Sequence, residues 1–262
     1  MSSLGMNICD RLYESMAERA AEATVSVLSI GLGYTAVSTG DGGLGLAYTS
    51  FENKQGCSVV THEKDYENGP ALDLLRLITA ANPIHRSMAL ALVNALNHPR
   101  ALALPVDRSN QILFDLLNVG RGTRVAMAGY FGPLLAKLKK RAAVVDVSDT
   151  GRQIGDAEAF LEKLAGWAEV LIMTSTTILN DTADDLLAAV GPNVRVVMMG
   201  PSTPLVAEAF AGLPVDVLAG TVPVDAEGIF RAVRHGKGTP VLQRFARKAY
   251  LPLSDLSDPL RG

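Results

Sequence analysis

At 262 residues the chain allows one large domain or two modest ones. With 48% hydrophobic and 19% charged residues it has ample apolar material for a packed core, and a formal net charge of -3 without a long basic run argues against a sequence-independent nucleic-acid binder. No apolar run reaches the roughly 18 residues of a membrane-spanning helix. The stretch MSSLGMNICDRLYESM lacks a signal-peptide pattern, and two cysteines, Cys9 and Cys57, make no disulfide framework, so a reduced cytoplasmic protein is expected.

Ile8, Leu12, Met16 and Ala20 recur at helical spacing, with Asp10, Arg11, Glu14, Glu18 and Arg19 between them, and predict an amphipathic helix over residues 7–23. TVSVLSI, residues 24–30, suits a strand ended by Gly31-Leu32-Gly33. Tyr34-Thr35-Ala36-Val37 comes next. After the turn Gly40-Asp41-Gly42-Gly43, residues 44–49 are placed to return as a hairpin partner. A polar stretch from Glu52 to Gly69 holds Cys57, His62, Glu63 and Asp65, and its CSVV suits a short strand. Residues 71–80 read as one helix. A second starts at Asn82-Pro83, a cap followed by proline at the first helical position, and runs to about residue 97 with Met88, Leu92 and Leu96 on one stripe, where His98-Pro99 ends it. This α+β pattern differs from that of the second half of the chain. The boundary is placed within 100–110, giving an α+β domain over 1–105 and a second domain over 106–262 that opens with a helix at 111–117.

From Arg124 the pattern is regular. Strands are predicted at 124–128, 143–147, 170–173, 194–199 and 215–219, with helices between them at about 134–140, 156–165, 181–190 and 204–211. A last helix covers 226–235, and the tail from Gly236 reads as irregular. The alternation implies right-handed crossovers and a doubly wound parallel sheet, hence an α/β fold class for this half.

Ligands bind such sheets beyond the carboxyl ends of the strands. The predicted strand ends are Gly129-Tyr130-Phe131-Gly132-Pro133, Asp146 followed by Asp149, Thr174-Ser175-Thr176-Thr177 with Asn180 beyond, Gly200-Pro201-Ser202-Thr203-Pro204, and Gly220-Thr221. Glycines and small hydroxyls on one edge let backbone N–H groups approach an anion or a planar ligand. The same polar residues have an ordinary reading as helix caps, Thr203 before Pro204 and Asn180 before Asp181 above all. Nucleotide fingerprints are missing: the first loop is G-Y-F-G-P rather than G-x-G-x-x-G, and no G-x-x-x-x-G-K-[ST] occurs. This counts against a nucleotide- or S-adenosylmethionine-dependent enzyme, although Asp146, 17 residues after Gly129, stands near the position of a ribose-binding acid.

His62, Glu63 and Asp65, with Cys57 nearby, read either as metal ligands or as a solvated loop, while His85, His98 and His235 stand alone. Asn94 lies in a helix otherwise built from apolar residues and needs a partner, on neighbouring backbone or in a cleft. Tyr34 and Thr35 are further candidates in this domain. Glu52, Tyr130 and Asp146 are the acid–base candidates if the first domain leans over the sheet edge.

The segments GLGYTAV (31–37), ALALVNAL (89–96), VAMAGYFGPL (125–134), VVDVSD (144–149), TSTTILN (174–180), GPSTPL (200–205) and LAGT (218–221) resemble, in this order, the family described as “putative heavy-metal chelation”. The resemblance implies an enolase-N-terminal-like α+β domain followed by a Rossmann-like domain, with the site between them. It implies either heavy-metal chelation, with a small metabolite, a transition metal or a metal chelate in the cleft, or an enzyme condensing or hydrolysing a pterin-, flavin- or siderophore-like precursor. The chain departs from the family pattern at Thr174-Ser175-Thr176, where a glycine-containing TGT or TGS is expected. No soft-ligand cluster of the kind heavy metals prefer is visible, so metal ligands stay unassigned. The expected ligand-binding set is Tyr34, Thr35, Asn94, Gly129, Phe131, Thr174, Thr176, Thr177, Asn180, Gly200, Ser202, Thr203 and Gly220. The expected partner is a small molecule, and a homo-oligomer is allowed.

Overall fold

A computed structural model describes residues 5–50 and 64–253. Helix α1 (Ile8–Glu22) opens at Asn7, whose side chain accepts from the Asp10 N–H at 2.9 Å, and buries Ile8, Cys9, Leu12, Met16 and Ala20 as the apolar spacing dictates. Strands β1 (Val25–Ile30), β2 (Tyr34–Thr39) and β3 (Leu44–Tyr48) form an antiparallel sheet in that order. Helix α2 (Ala71–Leu75) tightens into a 3-10 turn over Arg76–Thr79, so the helix expected at 71–80 is half α and half 3-10. Helix α3 (Pro83–Leu96) is capped by Asn82, which accepts from the Ile84 N–H at 2.9 Å. Helix α3 ends just before His98-Pro99, as expected, and a short α4 (His98–Ala101) starts there.

The small sheet is covered on both faces. On one, Val37 and Ala47 join the core built on α1 and α3. On the other, Tyr34, Ala36, Leu44 and Leu46 pack against residues 229–233 and Leu242 of the second half. Gly45 makes the first packing possible: a Cβ there would lie 2.1 Å from the Ala91 carbonyl oxygen and 2.3 Å from the Ala95 nitrogen, so the helix backbone rests directly on the strand.

The second half contains α5 (Gln111–Leu116), β4 (Arg124–Ala128), α6 (Gly132–Lys140), β5 (Val144–Ser148), α7 (Ala157–Gly166), β6 (Val170–Thr174), α8 (Ala183–Ala188), β7 (Arg195–Met199), β8 (Val217–Pro223), α9 (Ala226–Arg234), α10 (Thr239–Leu242) and β9 (Ala246–Pro252). These strands make a six-stranded sheet in the order β5-β4-β6-β7-β8-β9, parallel except for β9. Successive residues point to opposite faces. Val125, Met127, Val170 and Ile172 pack with residues of α5 and α6, while Ala126, Ala128, Leu171 and Met173 share the large core with α1, α3 and α7.

The structure departs from four of the expected features. The tail from Gly236 is not irregular: it forms α10 and then β9, which pairs antiparallel with β8 from Val217↔Pro252 to Pro223↔Ala246. Charged Arg247 and Lys248 hide this strand from an apolar search, because its order comes from backbone pairing at one end of the sheet. Gly220 and Thr221 lie inside β8 rather than in a loop, paired with Ala249 and Lys248. Residues 204–211 form only a 3-10 turn, Ala207–Phe210. The helix expected at 181–190 is α8, which starts later because Asp181 takes a left-handed φ of 64°, and which ends at Ala188. The CSVV strand, with Glu52, Cys57, His62 and Glu63, falls outside the described residues.

Candidate functional site

The strand order places β5 and β6 on opposite sides of β4. The connection leaving β4 therefore runs one way and that leaving β6 runs the other, and a crevice opens where they diverge. A cleft of about 780 Å³ occupies this point. Its walls are Gly129, Tyr130 and Phe131 after β4, residues 148–152 at and after the end of β5, and Thr174, Thr176, Thr177 and Asn180 at and after the end of β6. Phe160 and Leu161 of α7, Asp185 and Leu186 of α8, and Tyr48 and Ser50 from the N-terminal half complete it.

Gly129 makes the turn out of β4. Its φ is +93°, and a Cβ there would stand 2.7 Å from Thr174 Cγ2, so the loops after β4 and β6 touch through the missing side chain. Its N–H donates to the Ser148 carbonyl at 2.7 Å. The next N–H, of Tyr130, donates to Asp149 Oδ2 at 2.8 Å. Asp149 Oδ1 accepts from the Arg152 N–H at 3.0 Å, and Oδ2 pairs with Arg152 Nη1 at 2.8 Å. The Arg152 guanidinium carbon lies 5.5 Å from the centre of the Tyr130 ring. Helix α6 then begins at Gly132-Pro133 with no side-chain cap, leaving the positive end of its dipole beside the cleft.

The threonines after β6 do two things. Thr174 Oγ1 and Thr176 Oγ1 are 3.0 Å apart, and the Thr177 hydroxyl donates to the Thr174 carbonyl at 2.7 Å, so they cap the 3-10 turn Ser175–Ile178 while lining the cleft. Asn180 accepts from the Thr182 hydroxyl at 2.8 Å. The hydroxyls of Ser175, in that turn, and of Thr203 are buried without a hydrogen-bond partner among the described residues.

The cleft thus gathers Gly129, Tyr130, Phe131, Thr174, Thr176, Thr177 and Asn180 from the expected residues. The others lie elsewhere. Tyr34 is buried, its hydroxyl 2.6 Å from Thr239 Oγ1 and its ring edge-on to Tyr48, and burial raises its pKa. Thr35 is fully buried and bonded to Thr49 at 2.9 Å. Asn94 donates to the carbonyls of Leu46 at 2.8 Å and Ser202 at 3.3 Å, satisfying backbone in both halves. Ser202 Oγ accepts from the Tyr48 N–H at 2.7 Å. Gly200, at φ +140°, packs against Ser175, and Gly220 backs Leu205 from within β8. Asp146 pairs with Lys163 of α7 at 3.0 Å and is absent from the cleft wall. Glu52 lies outside the described residues.

Arg152, Phe160 and Tyr48 also line the cleft and are not among the expected residues. An aspartate at a strand end followed three residues later by arginine, as in Asp149-Thr150-Gly151-Arg152, was the local signal for the first. Nothing local marks the other two, which reach the cleft through packing.

The charged groups lining the cleft are Asp149, Arg152 and Asp185, and Arg152 is the one lysine or arginine among the described lining residues. Those residues include no cysteine or histidine, and among all described residues no group of three or more His, Cys, Asp or Glu stands close enough to hold a metal ion. Oxygen donors suit hard cations, whereas soft heavy metals favour thiolate and imidazole, so the described wall does not fit direct heavy-metal coordination. Cys9 is buried in the core with its Sγ 3.9 Å from the Ile178 carbonyl, and burial pushes its thiol pKa up to about 12.

Two sheets fused through one core, with a cleft at the switch point of the larger, define a doubly wound α/β protein with an α+β unit packed across it. A family model described as “Putative heavy-metal chelation” matches residues 112–252, and a second model of the same description matches residues 13–97. The chain belongs to this family, as the motifs around Gly129 and Pro201 imply. A protein of unknown function of the DUF364 family from Pyrococcus horikoshii superposes with a TM-score of 0.76, covering 94% of this chain and 100% of its own at 20% identity. Another, from Desulfitobacterium hafniense DCB-2, gives 0.74 over 92% of this chain and 97% of its own at 19% identity. These likenesses are of fold. No curated protein matches the sequence. Among the described residues no helix is long and apolar enough to cross a membrane.

Proposed function

We propose that the switch-point cleft binds a small organic molecule with a flat body, either free or as the chelator of a metal ion. The observation that carries this reading is the wall itself: Tyr130, Phe131 and Phe160 offer ring surfaces, and Thr174, Thr176, Thr177 and Asn180 offer hydrogen-bonding groups, in one cavity of about 780 Å³. Aromatic faces suit planar ligands, and scattered hydroxyls orient them. In this reading residues 106–262 supply most of the site, and residues 1–105 close one side through Tyr48 and Ser50. The heavy-metal chelation in the family's description is then served by the bound organic molecule, whose own donor atoms meet the metal.

An enzyme acting on a pterin-, flavin- or siderophore-like precursor is the second reading. It draws on Tyr130, the described acid–base candidate that lines the cleft, with 41% of its surface exposed. The test of the first reading compares native and denatured masses of the freshly purified full chain with those of Gly129→Val. The wild type is expected to carry an organic adduct on the order of a few hundred daltons, and the folded variant to lack it. A bare metal ion as sole adduct, or an organic adduct undisturbed by the valine, overturns the reading.

A further inference from the structure

We propose that Arg152 selects the cleft's ligands for an acidic group, so that the flat molecule bound there carries a carboxylate or phosphate on its ring system. The inference rests on the reading of the cleft as a site for flat organic molecules and specifies their chemistry.

The guanidinium is held on two sides. Asp149 Oδ2 binds Nη1 at 2.8 Å, and the Tyr130 ring lies under its face at 5.5 Å. Nε and Nη2 make no hydrogen bond among the described residues, and the side chain is 59% exposed. Those two nitrogens form the edge that grips an oxyanion with two parallel hydrogen bonds. The arginine is therefore already held at the cleft wall, with Nε and Nη2 unoccupied, and a ligand meets little of the ordering cost that a free arginine carries.

Asp149 offsets only part of this charge for an incoming anion, because its own charge is shared with other donors. Its side chain is only 11% exposed and accepts backbone N–H bonds from Tyr130 and Arg152 besides the guanidinium. These donors engage both carboxylate oxygens, and they remain if the guanidinium shifts toward a ligand. Asp185 enters from α8, after β6, while Arg152 enters after β5, and these strands flank β4 on opposite sides. The two charges polarise the cleft, drawing the acidic group to the β5 side and leaving the ring between Tyr130, Phe131 and Phe160.

The test uses the full chain with three naphthalene probes of one shape: 2-naphthoate, 2-naphthyl phosphate and the neutral 2-naphthamide. Affinities are read by ligand-observed NMR and calorimetry on wild type, Arg152→Met and Arg152→Lys. At least one acid is expected to bind wild type about tenfold more tightly than the amide, and which acid does so separates a carboxylate from a phosphate ligand. The methionine variant is expected to lose that preference, the acid's affinity falling about tenfold more than the amide's, and lysine to restore part of it. Equal binding of acids and amide to wild type overturns the role of Arg152 while leaving the cleft a site for flat rings. Parallel loss of amide and acid binding in the methionine variant also overturns it, as a structural effect. No binding of any probe to wild type overturns the cleft reading together with this one.

Discussion

Arg86 of α3 donates from Nε and Nη2 to the main-chain carbonyl of Leu179, at 2.8 and 2.5 Å across 93 residues of chain. Its Nη1 reaches the Ala80 carbonyl at 3.1 Å, and the residue is only 8% exposed. Asn94 and Asn97 lie on the same face of the helix. They donate to the carbonyls of Ser202 at 3.3 Å and Leu205 at 2.5 Å. One polar stripe on α3 therefore holds the segments that come after β6 and β7, and the N-terminal half sets their positions.

Replacing Arg86 by methionine leaves the Leu179 and Ala80 carbonyls without these donors. Unfolding free energy is expected to fall by about 2–3 kcal/mol, with Arg86→Lys recovering part of it. Urea denaturation followed by circular dichroism measures both. A methionine variant as stable as wild type would show that the stripe does not fasten the two halves.

Thr203→Val is expected to leave the melting temperature unchanged or raise it. The Thr203 hydroxyl is buried without a hydrogen-bond partner among the described residues, and valine replaces it with a methyl group of nearly the same shape. A fall of several degrees in a thermal melt would mean the hydroxyl has a bonding role.

Asp184 accepts from the Ile8 N–H at 3.2 Å where α1 begins, and burial, with Asp181 and Asp185 nearby, raises its pKa. The fold thus favours the protonated acid. That contribution is present below the unfolded aspartate's value of 3.8 and is lost as pH rises through the folded one. Asp184→Asn keeps an acceptor for Ile8 without the charge. The variant is expected to melt above wild type at pH 7, with the gap closing toward pH 3; a gap independent of pH would refute the assignment.

Cys9, its thiol pKa pushed up to about 12 by burial, is expected to resist Ellman's reagent at pH 8 in the native protein and to react fully in denaturant. The experiment uses a Cys57→Ser background so that one thiol reports. Because the folded pKa exceeds the ordinary 9.0, stability holds below pH 9 and declines as pH rises toward 12. Rapid labelling of the native protein would place Cys9 at the surface.

Local chemistry made much of the fold legible. The apolar run from Arg124 to Ala128 is β4 at the expected bounds, and Asn82-Pro83 starts α3 as its cap and fixed φ require. These features depend on neighbours a few residues away, whose sterics and hydrogen bonds are written in short patterns. The strand β9 was not legible, because Arg247 and Lys248 interrupt its apolar pattern and its order comes from backbone pairing with β8.

For the candidate site, the edge of the sheet that carries the cleft and the glycine that turns the chain out of β4 were both legible in local sequence patterns. The sequence also marked Asn94 as a polar group in need of a partner. Only the tertiary structure decided that the amide goes to Leu46 and Ser202, that Asp146 goes to Lys163, and that Asp149 instead joins Tyr130 to Arg152. The reason is physical: strand period and loop glycines follow from local geometry, whereas a polar side chain's partner depends on which distant backbone folding brings within about 3 Å.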